Sequence, residues 1–184
     1  MSSGTVDPES DQPASSGPLG TPGLWQADAA HSVVSVVELR SADHGCEFAL
    51  HTSTVELDSR AEHTHLDLRV ELESVACAYC GTPLLERPAV DPVLRWSAAH
   101  CVMASAAHPN LLVAAGTVSL GSIGRSVELV GSATARNDLL FLQVTGTLPL
   151  GALVTDGGRD ATTTTFGADS AASITLIAQL QRRI

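Results

Sequence analysis

Lysine is missing from this chain of 184 residues; all ten basic side chains are arginine. We read that as codon bias, not as a phosphate-binding device. Acidic residues number 20, so the formal net charge is −10. An acidic domain repels a phosphate backbone, which argues against nucleic-acid binding. The same sign argues against docking on anionic lipid. Aromatic residues make up only 3%, so any core is built from Val, Leu and Ala. No run approaches the ~18 apolar residues of a membrane span, so no membrane insertion is expected. The basic and apolar regions of a secretion signal are also missing at the start. These absences lead us to expect a soluble, cytoplasmic protein.

What is present divides the chain in two. Residues 1–23 hold Pro8, Pro13, Pro18 and Pro22 among many Ser and Gly. Such a segment cannot bury enough surface to offset its ordering entropy, so we expect a disordered tail. Residues 24–184 form one domain in this reading. There "THLDLRVELE" sets Leu66, Leu68, Val70 and Leu72 against Asp67, Arg69, Glu71 and Glu73. Period two with charges on the other face marks a half-buried strand.

The same alternation recurs along the domain. It joins Phe48 with Leu50, Val55 with Leu57, Leu94 with Trp96, Val118 with Leu120, and Val127 with Leu129. It then joins Leu140, Leu142, Val144 and Leu148, and finally Ile174, Leu176, Ala178 and Leu180. Gly, Asn, Asp and Pro punctuate these runs, with turns expected at Pro109-Asn110, Gly121 to Gly124 and Asn137-Asp138. The one helix-permissive piece is "TPLLERPAVD", which Pro88 interrupts. About eight short strands with turn signals predict an all-β, antiparallel fold, a sandwich or barrel. Closure into a barrel is favoured because it removes exposed edges.

Several side chains invite a chemical reading. His31 and Ser32 stand before an apolar run, but neighbours on a strand face opposite ways, so His31 is poorly placed to activate Ser32. No Gly-x-Ser-x-Gly elbow occurs. We expect His31 to cap the start of the strand, with Asp28 a candidate partner, or to touch a ligand headgroup. Cys77 and Cys80 form a C-x-x-C pair, spaced to chelate a metal or cycle as a dithiol. Cys46, Cys101, His44 and His100 are the residues able to complete such a site. A four-cysteine zinc site usually needs two such knuckles and only one is present, so free thiols and no metal are expected. His63 and His65 share a face without an obvious third ligand. Neither a dinucleotide fingerprint nor a P-loop occurs.

Trp25, Asp28, His31, Ser32, Val34 and Val36 together resemble the N-terminal signature of the YceI-like family. "VSLGSIGRSVELVG" is similar to that family's central hairpin, with Ile123, Arg125, Val127 and Leu129 in register, and "FGADSAASITLIAQL" is similar to its closing strands. The resemblance spans roughly residues 24–180. It departs at "HGCEFAL" and in the shortened "CGTPLLERPAVDP". It implies a lipocalin-like, extended eight-stranded antiparallel β-barrel with a short helical or irregular connection, homodimeric in several members. It also implies an apolar amphiphile, a polyisoprenoid chain, held inside, with no cofactor and no catalysis. Under this reading His31, Val34, Val36, Phe48, Leu50, Leu94, Trp96, Leu140 and Leu142 contact the ligand. Two alternatives stay open: a metal or redox-sensing module using Cys77 and Cys80, and a filled barrel that binds nothing.

Overall fold

The computed structural model describes residues 22–38, 46–59, 64–72, 75–84, 93–105, 108–154 and 171–183. Eight strands follow one another: β1 (Leu24–Glu38), β2 (Cys46–Asp58), β3 (Thr64–Glu71), β4 (Val93–Ser105), β5 (His108–Leu120), β6 (Ile123–Arg136), β7 (Leu139–Leu148) and β8 (Ala172–Arg183). Each pairs antiparallel with the next, and β8 returns to β1, so the sheet closes into a barrel. The one helix among the described residues, α1 (Leu150–Val154), follows β7. The predicted strand content, antiparallel order and closure are therefore observed.

Uninterrupted alternation marks β3. In β3 every second side chain from Leu66 to Val70 is buried, and Asp67 and Arg69 face outward. β5 and β6 meet through Gly121-Ser122, and β6 and β7 through Asn137-Asp138. Both loops are two residues long, and Gly121 and Asn137 take φ of 58° and 56°. That left-handed conformation matches the twist of the flanking strands.

Three strands change face midway, because a bulge shifts the parity of every later side chain. In β1 Trp25 points inward, the register shifts after Ala27, and Ser32, Val34 and Val36 point inward afterwards. In β2 the shift lies between Thr52 and Thr54, so Phe48 and Leu50 share the interior with Val55 and Leu57. β4 shifts between Ser97 and His100.

One local expectation is corrected. Pro109-Asn110 does not form a turn; both residues lie near the start of β5, where a Pro costs little pairing. The helix among the described residues forms at "LGALV"; of "TPLLERPAVD" the described residues 82–84 are non-helical, and 85–91 lie outside the described residues. Leu153 N–H bonds the Pro149 carbonyl at 3.2 Å, closing the single turn.

At the barrel's opposite end from α1, Gly23 N–H donates to Ser59 Oγ at 3.0 Å, and Ser59 N–H to the Gly23 carbonyl at 2.9 Å. Arg182 donates to the Pro22 carbonyl at 2.9 Å. Pro22 and Gly23 are thus tied to the barrel. Residues 1–21, the rest of the expected tail, lie outside the described residues.

Candidate functional site

The ends of the barrel differ in construction. The last residues of β1, β3, β5 and β7 and the first of β2, β4, β6 and β8 meet at one end. The connections leaving that end include residues 39–45, 72–92 and 149–171. α1 and the C-x-x-C segment both belong to it.

Beneath α1 the interior is wholly apolar. Val36, Leu50, Leu72, Leu84, Leu94, Leu120 and Leu148 from the wall and rim meet Leu150 and Leu153 of the helix. They enclose about 10 Å³, barely the space of one water. Farther in, Val34, Phe48, Trp96, Leu140 and Leu142 are all buried, and Trp96 Nε1 donates to the Val127 carbonyl at 3.3 Å. The structure therefore gathers eight of the nine expected ligand-contacting residues inside the barrel.

His31 is the exception. It lies at the β1 bulge, exposed on the outer wall, while Ser32 beside it is buried. It neither starts the strand, which begins at Leu24, nor stands at the mouth. The Asp28 side chain lies outside the described residues.

A three-thiol cluster stands at the same end. Cys46 opens β2, and β3 pairs with β2 only from Thr52 onward. The vacant stretch of the β2 edge is met by a tight loop, residues 76–83. Ala78 N–H bonds the Glu47 carbonyl at 3.2 Å, and Tyr79 Oη donates to Glu47 Oε2 at 3.2 Å. Within the loop, Cys77 N–H bonds the Thr82 carbonyl at 2.8 Å and Gly81 N–H bonds the Cys77 carbonyl at 3.0 Å. Gly81 takes φ of 68°, which lets the chain turn directly after Cys80. The result brings the sulfurs of Cys46, Cys77 and Cys80 within 4.8 Å of one another. Cys46 Sγ and Cys80 Sγ are 3.7 Å apart, and Cys80 Sγ donates to Thr82 Oγ1 at 3.1 Å.

The thiols differ in acidity. Backbone N–H groups of Cys80 and Tyr79 aim at the Cys77 sulfur and lower its pKa to about 6. Burial, reinforced by hydrogen bonds with Cys80 and Cys77, raises Cys46 to about 11. Cys101 is also pushed up to about 11 by burial and then by the Asp67 charge. It pairs beside Thr64 at the opposite end, away from the cluster. His44, His63 and the His100 side chain lie outside the described residues, and His65 is exposed on the outer wall.

Of the four residues that the sequence offers to complete the C-x-x-C pair, the structure brings Cys46 to it, through the edge pairing of the loop.

No family profile matches the chain, and no curated protein matches it in sequence. Among solved structures it is similar to Burkholderia cenocepacia BcnA, with a TM-score of 0.58 over 84% of this chain and 98% of that one. The fold is lipocalin-like. At 12% identity the likeness shows architecture alone.

Proposed function

We propose that the protein binds an apolar chain of the polyisoprenoid class inside the barrel, as a carrier, store or sensor, without converting it. The observation that carries this reading is the wholly aliphatic chamber closed by a helix of only five residues. In this reading α1 closes the chamber, and a ligand enters by lifting it. Exposing Leu150 and Leu153 costs about 3–6 kcal/mol, at ~1.5–3 kcal/mol for each buried leucine. Burying a methylene returns ~0.8 kcal/mol, so roughly four to eight carbons offset the opening. Two prenyl units suffice, and every further unit favours the complex. In this reading the protein works in a reducing, cytoplasmic setting, supported by four unpaired cysteines. It does so as a homodimer, and light scattering of the purified protein checks that assembly.

The test is native mass spectrometry of the purified protein with organic extraction, together with titration by a fluorescent prenyl alcohol. The expected result is a co-purified apolar lipid or saturable probe binding. Leu153→Ala loosens the cap and raises occupancy, and Val36→Trp fills the chamber and lowers it. A wild type and a Leu153→Ala variant that are both free of lipid, with flat titrations, sink the proposal and leave a filled structural barrel.

A further inference from the structure

We propose that Cys46, Cys77 and Cys80 bind one zinc-class cation through their three thiolates. The spacing of the sulfurs is the first ground. Two thiolates each 2.3 Å from a tetrahedral zinc stand about 3.8 Å apart. Cys46 Sγ and Cys80 Sγ are 3.7 Å apart, and the third sulfur lies within the same 4.8 Å limit. A disulfide needs about 2.05 Å, and three thiols leave one without a partner.

The loop is the second ground, and it is independent of that distance. Its residues read Cys77-Ala78-Tyr79-Cys80-Gly81, with the first sulfur facing the N–H groups of Tyr79 and Cys80 and the glycine at φ of 68°. Amide dipoles aimed at a sulfur favour its thiolate, the form that ligates metal. Gly81 has no atom within 4 Å of a built Cβ, so its place is explained by backbone conformation, not by crowding. The arrangement also converges from two distant segments: Ala78 N–H and Tyr79 Oη both lock the loop to Glu47, the neighbour of Cys46.

Cys46 and Cys77 are buried and Cys80 is exposed, so a cation reaches the cluster from the Cys80 side. A water, or a thiolate or imidazole from elsewhere, completes the set. Counted from the fully protonated cluster, Zn²⁺ enters, three protons leave, and the cluster keeps one negative charge. No redox change is involved.

The experiment uses the reduced, metal-stripped full chain titrated with Co²⁺ and then Zn²⁺. About one Co²⁺ per chain should bind, with thiolate-to-cobalt charge transfer and the intense d–d bands of a tetrahedral site, and Zn²⁺ should displace it. Cys80→Ser, at the exposed position, and Cys77→Ser should lose both signals while keeping the wild-type circular dichroism. Cys101→Ser should keep both. Zinc in the protein as purified, measured by mass spectrometry of the elements, should fall from about one per chain to near none in Cys80→Ser. An absence of thiolate–cobalt bands, bands that survive Cys80→Ser, or a wild-type mass two hydrogens light from a disulfide among these cysteines would each overturn the proposal. None of these readouts depends on whether the barrel takes up a lipid.

Discussion

Cys77 is a residue whose acidity is set by two amides on its own loop, and the effect is measurable without any metal. In the reduced, metal-free protein, thiolate absorbance should show a step near pH 6 that Cys77→Ser removes. The sign follows from linkage: the folded pKa lies below the ordinary value of 9.0, so folding favours the thiolate. That contribution is fully present above pH 9.0, declines as pH falls, and is gone below about 6. Denaturant midpoints should therefore rise between pH 6 and 9 more steeply in the wild type than in Cys77→Ser. Equal slopes would refute the assignment. Gly131 offers a test of another kind. It sits at an inward-facing position between β5 and β7, and a Cβ there meets the Gln143 carbonyl and comes within 2.7 Å of Val144 Cα. Both obstacles are backbone, so Gly131→Ala should destabilise by ~1–3 kcal/mol or more in chemical denaturation. Ser132→Ala, on the exposed face next door, should stay within ~0.5 kcal/mol. A neutral Gly131→Ala would show that β6 and β7 are farther apart than described.

At the level of elements, legibility in the sequence tracks the length of unbroken alternation. β3, β6 and β7 could be read from side chains alone, since Leu66 to Val70 or Leu140 to Val144 never lose step. β1, β2 and β4 carry bulges, and a parity change hides the continuity of a strand from any period-two reading. α1 is a single turn, too short for a 3.6-residue period to show. The candidate site was half legible for the same reason of range. The local C-x-x-C pair and its glycine lie within five residues, whereas Cys46 joins them through an edge pairing that spans 34 residues to Cys80. His31 was misplaced because its neighbours suggested the start of a strand that in fact begins seven residues earlier, at Leu24. The N-terminal boundary carries its own prediction. Removing residues 1–21 should leave the thermal midpoint nearly unchanged, whereas removing 1–23 also deletes the Gly23–Ser59 bonds and should lower it by several degrees. Equal midpoints would show that those bonds contribute nothing.

For the whole molecule, closure matters more than any single contact. β1 pairs with β8 from Leu24↔Arg183 to Glu38↔Ala172, so the first strand's second neighbour is the last strand of the chain. Arg183 Nε reaches Gln26 Oε1 at 3.1 Å, and Arg182 reaches Pro22, tying residues about 160 positions apart. During synthesis this creates a waiting period. A nascent chain that has passed β7 can assemble a seven-strand curved sheet, but that sheet keeps two unpaired borders until β8 emerges and pairs with both β7 and β1. Open borders recruit other strands, and contacts of such high sequence separation form slowly because the closure entropy must be met first. The most aggregation-prone folding state of this barrel is therefore the one in which β1 to β7 are assembled and β8 has not yet docked.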